Sequence, residues 1–291
     1  MMNVVKKTLC LYCFMFVLAV FNTYVNAGQP KYDLSNGGAG LSRSFSYSVT
    51  SEVATFDYVA TSKQLKWQPH SKDNLNLGIT DKVYWFRHSF SLHGSQKQSV
   101  IFEVSYPLLD DLEVYIEHQG QLFSYQLGDL ERFASRPIKH RFFLIPFTIT
   151  PDENIRFYAR LKTSSVMIFP VKLWKTSDFT ERNQVNTLIL GAYFGLMALL
   201  FVYVCSCAII IRKRVYGYYL GYISSMTLLL CNLSGLSFQY FWPNSIWWNG
   251  QSSIFILYVI VFFGILFSKS LLNIARFYPR LNLALRYLVA A

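Results

Sequence analysis

Between Phe45 and Trp174, apolar and polar residues alternate in short runs. Tyr84, Phe86, His88, Phe90 and Leu92 share one face of an extended segment, while Trp85, Arg87, Ser89 and Ser91 share the other. A period of two predicts a half-buried strand. Similar runs lie at Phe45-Tyr47-Val49, Val100 to Val104, Leu112 to Glu117, Leu122 to Leu127, Arg141 to Ile149, Ile155 to Leu161 and Val166 to Trp174. Gln119-Gly120 stands between two of them as a hairpin turn. About eight short strands with no long helical pattern predict an all-β domain, a jelly-roll-like antiparallel β-sandwich.

After Trp174 the alternation stops. Ser177 or Asp178 is placed to cap a helix that runs through Glu181 and Val185 straight into the first apolar span as a rigid connection, the alternative being a mere linker turn. Asn183 to Ile211 then carries no charge and is closed by Arg212-Lys213-Arg214. That run predicts a membrane span with a basic cytoplasmic end. Val215 to Ser268 is a further 54 residues without charge, and as one helix it would measure ~81 Å against a ~30 Å hydrocarbon core. It has to turn back once. Gly235, Pro243, Asn244, Asn249 and Gly250 break the pattern there, among the interfacial aromatics Tyr240, Phe241, Trp242, Trp247 and Trp248.

The reading divides the chain into a signal peptide (1–27), a periplasmic sandwich (28–176), a linker helix (177–186) and an α-helical transmembrane domain (187–291). Spans fall near 187–211, 216–233 and 252–267, with a fourth begun near 283–291. The last of these has only a few residues before Ala291, so a fragment or truncated gene is expected.

Charge sharpens the picture. The formal net charge of +11 suggests nucleic acid, but all 16 acidic residues lie between Asp33 and Glu181, beside 18 Lys and Arg. The excess comes from Lys6 and Lys7 and from Arg212, Lys213, Arg214, Lys269, Arg276, Arg280 and Arg286, which flank apolar runs. This is the positive-inside pattern and not a phosphate-binding stripe, so nucleic-acid partners are set aside. The bilayer is the partner it implies.

Lys6 and Lys7, the apolar run Leu9 to Phe21 and Val25-Asn26-Ala27 read as a secretory signal cleaved before Gly28, with an uncleaved anchor as the alternative. Cys10-x-x-Cys13 lies inside that signal. Cys205, Cys207 and Cys231 lie in apolar runs, so the exported segment has no cysteine and needs no disulfide. The five histidines, His70, His88, His93, His118 and His140, form no metal-binding spacing. Neither a metal nor another cofactor is expected.

Motifs in both halves resemble one family, the bacterial seven-transmembrane receptors with diverse intracellular signalling modules. In the exported half they are Leu77-Gly78-Ile79-Thr80-Asp81, Tyr84-Trp85-Phe86-Arg87, Tyr106-Pro107-Leu108-Leu109-Asp110, Gly128-Asp129, Phe133, Arg136-Pro137, His140-Arg141 and Arg160. In the apolar half they are Gly191, Tyr193-Phe194-Gly195, Tyr203, Arg214 with Tyr216, Tyr218 and Tyr219, Gly235-Leu236-Ser237-Phe238-Gln239-Tyr240 and Trp242-Pro243. The resemblance implies a periplasmic jelly roll that binds carbohydrate-like or other small ligands. It also implies seven spans leading to a histidine kinase or diguanylate cyclase, for which this sequence has no GGDEF motif or phosphoacceptor helix.

A sugar site on a sandwich combines an aromatic platform with charged or amide side chains that bond hydroxyls. Trp85 and Arg87 share a strand face, and Asp110, Asp111, Arg136, His140 and Arg141 are the polar candidates to complete a pocket. The competing reading is structural: Arg87 and Arg136 pair with Asp81, Asp110 or Asp129, and Trp85 is core. An enzyme is not expected. Glu113 and Glu117, four residues apart on one strand face, would stand ~13 Å apart, too far for glycoside hydrolysis. GxSxG and GxxxxGK[ST] motifs are missing. The spans hold no buried charge for a proton relay. Gly191 and Gly195 permit close helix packing, with homodimerisation as the further use.

The chain therefore reads as the sensor portion of an inner-membrane receptor. The alternatives are a membrane-tethered ligand- or carbohydrate-binding module without signalling, and a non-functional truncated receptor.

Overall fold

The computed structural model describes residues 38–70, 75–91, 97–150, 154–277, 280, 282 and 285. All lie in one compact unit, Asp33–Ala291. The expected signal peptide and most of the fourth apolar stretch fall outside the described residues.

Twelve strands form among them: β1 (Gly38–Gly40), β2 (Ser46–Thr50), β3 (Gln68–Pro69), β4 (Asn76–Ile79), β5 (Val83–Ser91), β6 (Gln98–Val104), β7 (Asp111–His118), β8 (Gln121–Leu127), β9 (Phe143–Ile149), β10 (Asn154–Lys162), β11 (Val166–Ile168) and β12 (Val171–Lys175). One sheet has the order β1-β12-β6-β9 and the other β3-β2-β5-β10-β7-β8, and β4 pairs with β11 alone. Every pairing is antiparallel. The sandwich expected from the alternation is what forms.

Its core is aromatic. Phe45, Phe86, Phe102, Phe157 and Phe169 are buried between the sheets, with Phe86 stacked on Phe169 at 4.7 Å and Phe102 on Phe157 at 5.2 Å. Such rings contribute large buried areas at the tilts their quadrupoles prefer. The run Val166 to Trp174, read as one strand, divides into β11 and β12. Phe169 donates its N–H to Leu75 O instead, and Pro170 has no N–H to continue a ladder.

The half-buried assignment of β5 needs correction. A short helix, α1 (Phe56–Thr61), is missed by the alternation because it has fewer than two turns. Val59 joins Trp85 and Val83 in a second small core, with Ala54, Phe56, Leu65, Trp67, Tyr115 and Tyr158 against it. The strand is therefore buried on both faces at this point.

The apolar half is helical: α2 (Thr176–Ile211), α3 (Arg214–Leu233), α4 (Leu236–Tyr240), α5 (Ile246–Leu271) and α6 (Ile274–Phe277). No break separates the linker from the first apolar run, so α2 is one helix of 36 residues, ~54 Å long. Neither Ser177 nor Asp178 caps it. Lys175 occupies the cap position without a side-chain bond, and Asp178 sits in the first turn, where its charge favours the helix dipole. Arg212, in the left-handed region at φ 52°, turns the chain into α3 at the end remote from the sandwich.

The turn-back read from the sequence occurs between α3 and α5. Asn232 near the end of α3 donates to Ser253 near the start of α5 at 2.7 Å. Tyr219 near the start of α3 stacks on Phe267 near the end of α5 at 4.8 Å. The two helices are therefore antiparallel. By length and apolarity, α2 and α5 are each able to cross a membrane. The tyrosine-rich α3 is packed against α5 between them.

Candidate functional site

Two regions collect the chemistry. The first is the outer face of the six-stranded sheet. Register sets Ser48, Trp85, Arg160, Glu113 and Gln126 in one row across β2, β5, β10, β7 and β8, and Ser46, Arg87, Tyr158, Tyr115 and Ser124 in the next. Trp85 is 0% exposed. It stacks on Tyr115 at 5.8 Å, and Phe56 of α1 covers Tyr115 at 4.6 Å. Trp85 is therefore core and does not offer an open platform, which corrects that part of the sequence reading. Its Nε1–H is buried and finds no acceptor among the described residues.

The ring beside open charge is Trp67, with the Arg87 guanidinium over it at 4.2 Å. Arg160 donates to Asp111 Oδ2 at 2.7 Å and Glu113 Oε1 at 2.9 Å. Tyr115 Oη donates to Glu113 Oε2 at 2.6 Å; burial first, then that carboxylate, raises the Tyr115 phenol well above its ordinary value. Arg156 pairs with Glu117 at 3.2 Å. The carboxylates of this face are thus held in ion pairs. Asp110 lies off the face, accepting from Ser164 N and Oγ at 2.6 Å each.

The second region is the joint between the sandwich and the helix ends, built by the loop from Gly128 to Phe142. Phe133 donates its N–H to Pro243 O at 3.2 Å and meets the Phe238 ring edge-on at 5.7 Å. Arg136, only 6% exposed, donates from one nitrogen to His140 O at 2.8 Å and Arg141 O at 3.0 Å. Its guanidinium lies 4.7, 4.4 and 5.6 Å from the ring centroids of Phe133, Phe143 and Phe238. Burial pulls its pKa down to about 10, with Asp129 opposing. An arginine this enclosed fixes a loop through backbone carbonyls and aromatic faces. It is not open to a ligand, so this sequence-derived candidate is corrected too.

Asp129, also buried, accepts from Asn249 Nδ2 of α5 at 3.4 Å, and Trp242 Nε1 donates to Asn249 Oδ1 at 3.2 Å. Burial and then Asp110 push its carboxyl up to about 7, against the pull of Arg136. His140 contacts Asn183 Oδ1 of α2 through Nε2 at 3.1 Å, and its Nδ1 accepts from Phe142 N at 3.1 Å. Arg141 lays its guanidinium over Phe142 at 4.5 Å. Beside them, Trp174 Nε1 donates to buried Glu103 at 2.6 Å, and Arg182 of α2 stands over the Trp174 ring at 5.2 Å. Burial raises Glu103 above the usual carboxylate value, while Lys172, Arg182 and Arg141 pull the other way.

The seven candidates thus do not share a pocket. Trp85, Arg87 and Asp111 belong to the sheet face, Arg136, His140 and Arg141 to the joint, and Asp110 to a turn. Trp67, Tyr158, Asn183 and Asn249 are neighbours of these candidates that the sequence reading did not name for a site, Asn183 and Asn249 being marked there only as the start of a charge-free run and a break in the apolar pattern. Among the described residues, no three His, Cys, Asp or Glu side chains are grouped to hold a metal ion.

Residues 45–175 match the family model described as 7TMR-DISM extracellular 2, and residues 186–291 match the one described as 7TM diverse intracellular signalling. The chain belongs to the seven-transmembrane receptors with diverse intracellular signalling modules. In this receptor the matched domains are sensory and membrane parts, not catalytic ones. No curated protein sequence matches it.

Solved structures similar to the receptor include the 4-O-methyl-α-glucuronidase BtGH115A, with 10% identity, TM-score 0.21 and coverage of 35% of this chain and 14% of that one. The module TmCBM61, solved with β-1,4-galactotriose, has 8% identity, TM-score 0.23 and coverage of 49% and 90%. An α-xylosidase from Xanthomonas citri has 8% identity, TM-score 0.23 and coverage of 45% and 15%. This chain thus spans a small part of the two enzymes. At such scores the likenesses carry no conclusion about a ligand.

Proposed function

We propose that this receptor's sandwich faces the periplasm, binds a small carbohydrate-like ligand, and passes the binding event through the Gly128–Phe142 loop to a multi-span domain in the inner membrane. The observation that carries the reading is the joint. One loop of the sandwich touches α2, α4 and α5 through His140, Phe133, Arg136 and Asp129, while β12 leads without interruption into α2. A mere tether needs one covalent connection, whereas these further contacts give a ligand several helices to bias. Binding shifts such an equilibrium only by preferring one arrangement.

The basic turn Arg212-Lys213-Arg214 at the far end of α2 supports the orientation. The ligand face is the outer side of the six-stranded sheet, where the Trp67–Arg87 stack and the polar rows around Tyr158 and Arg156 offer apolar surface beside hydrogen-bonding groups. Arg87 and Asp111 are the sequence-derived candidates retained for it. The output beyond the membrane is of the kinase or diguanylate cyclase kind.

The test is calorimetric titration of the full chain in lipid nanodiscs with a panel of mono- and oligosaccharides, amino acids and peptidoglycan fragments. Saturable binding to a sugar, weakened at least tenfold by Arg87→Ala and by Trp67→Ala, is the expected result. Binding to none of the panel, or binding to a sugar that both variants leave untouched, overturns the reading.

A further inference from the structure

Several loops of the sandwich are tied together at one end of it. The Leu130 N–H donates to Asp110 O at 3.2 Å, and the Asp110 carboxylate accepts from Ser164 N and Oγ at 2.6 Å each. On either side of Ser164, Lys162 pairs with Glu52 at 2.6 Å and Val166 pairs in register with Ile79. Thr50 and Val83 are also register partners, so the chain leaves β2 and enters β5 side by side. The segments 51–54, 79–82, 105–110, 128–133 and 163–165 therefore share one end.

Two independent markers set that end at the level where the apolar helices begin. The first is α2, which starts at the opposite end, where Thr176 Oγ1 donates to Ser99 O at 3.1 Å. It passes the Trp174 ring at Arg182 and reaches His140 at Asn183, the first residue of its charge-free run. The four-stranded sheet thus runs beside the helix, and the sandwich stands on its end. The second marker is the turn from α4 to α5, which meets this end through Phe133 N–H to Pro243 O and through Asn249 to Asp129. Tyr240, Phe241 and Trp247 of that turn are exposed. Such rings at helix ends lie at the membrane–water interface.

The same end carries bare apolar side chains. Val53 is 86% exposed and Ile79 is 80% exposed, more than any other large apolar side chain among the described residues, the long apolar helices included. Leu130 is 58% exposed. One exposed apolar residue is ordinary on a protein surface. These three are set apart by standing together on the end that faces the bilayer. Charge there is balanced, with Lys162 paired to Glu52 and with Lys82 and Arg132 next in sequence to Asp81 and Glu131. Attraction to anionic headgroups is therefore not the driving force, and removal of apolar side chains from water is.

We propose that this end of the sandwich is a second membrane contact, at which Val53, Ile79 and Leu130 insert into the interfacial layer of the leaflet beside the spans. The partner is a lipid surface, zwitterionic or anionic alike. This footing holds the strands along the membrane normal and limits how far the sandwich can tilt about the joint.

The inference takes from the proposed function only that the helices lie in a bilayer. It is tested without sugar, so either reading can fail alone.

The experiment uses the full chain in phosphatidylcholine nanodiscs, with its native cysteines replaced and a nitroxide at Ser51→Cys or at Lys82→Cys. Both positions are exposed and polar, and they leave Val53 and Ile79 in place. Leu122→Cys, exposed at the opposite end of the sandwich, is the reference. Power saturation compares collisions with oxygen, which concentrates in hydrocarbon, and with a water-soluble nickel chelate. The ratio of oxygen to nickel collisions should be about twofold higher at both labels than at the reference, as interfacial insertion requires. Val53→Asp combined with Ile79→Asp should return it toward the reference value, with circular dichroism showing that the variant folds as the parent does. A ratio equal to the reference means a solvated end and overturns the proposal. Labels shielded from both reagents mean that protein covers this end, which overturns it too. So does a raised ratio that the double variant leaves unchanged, because the apolar pair is then not what holds the end to the lipid.

Discussion

Arg136 of the sandwich and Phe238 of α4 meet across the joint, the guanidinium 5.6 Å from the ring centroid. The same group lies over Phe133 and Phe143 and bonds two carbonyls of its own loop. It therefore ties the loop's shape to the helix's position. Arg136→Ala removes both hydrogen bonds and all three ring contacts, and should cost about 2–4 kcal/mol of stability. Arg136→Lys keeps the charge but lacks the flat fork, so it should recover only part of that loss. Thermal unfolding of the two variants beside the parent decides it.

Gly235 approaches the sandwich so closely that no side chain fits. It sits at φ +78°, and a Cβ there would lie 2.8 Å from Pro107 Cβ and 3.1 Å from Arg141 O. Gly235→Ala should push the start of α4 off the loop and cost about 1–3 kcal/mol. Limited proteolysis in nanodiscs should show faster cleavage within residues 128–142 than in the parent, and equal rates would contradict it.

Glu103 gives the sandwich a pH dependence. Burial raises its folded pKa above the ordinary 4.5, so the ionised carboxylate opposes folding. Its contribution to stability is most favourable below 4.5 and is lost as the pH rises through the raised folded value. Glu103→Gln keeps an acceptor for the Trp174 N–H without the charge. The variant should melt higher than the parent at pH 8, and its melting temperature should fall less between pH 5 and pH 8.

The β7–β8 hairpin turns through Gln119 at φ 53° and Gly120 at φ 74°. Two residues of positive φ are the geometry for which Asn-Gly is the preferred pair. Gln119→Asn should stabilise the sandwich by roughly 0.5 kcal/mol, and Gly120→Ala should cost roughly 1 kcal/mol. Chemical denaturation of both variants, read at constant m-value, tests the sign of each.

Strand alternation from Tyr84 to Ser91, the turn at Gln119-Gly120 and the charge-free run from Asn183 to Ile211 were all legible in the sequence. Each is a local property, a period of two, a pair of residues that tolerate positive φ, or a length matched to a bilayer. The continuity of α2 with the apolar run was legible as one of two readings, a helix running straight into the span or a mere linker turn, because no local signal says whether two helical stretches share an axis. The small core around Trp85 was hidden because α1 is too short to show a period.

The candidate site was legible only as residue types. Arg87, Arg136, His140 and Asp111 were marked as polar residues in suggestive company, yet which of them face solvent depends on partners far along the chain. Asp129 meets Asn249 across 120 residues and Glu103 meets Trp174 across 71. Asn183 and Asn249 were legible as the start of a charge-free run and a break in the apolar pattern, but not as hydrogen-bond partners of the loop. Sequence alone determined the order of sandwich and apolar helices, since periodicity, turn chemistry and hydropathy act within a few residues. Tertiary structure decided that Trp85 is core, that Arg136 is a joint, and that His140 and Asp129 grip different helices, since burial and hydrogen-bond polarity belong to the packed surroundings and not to the residue.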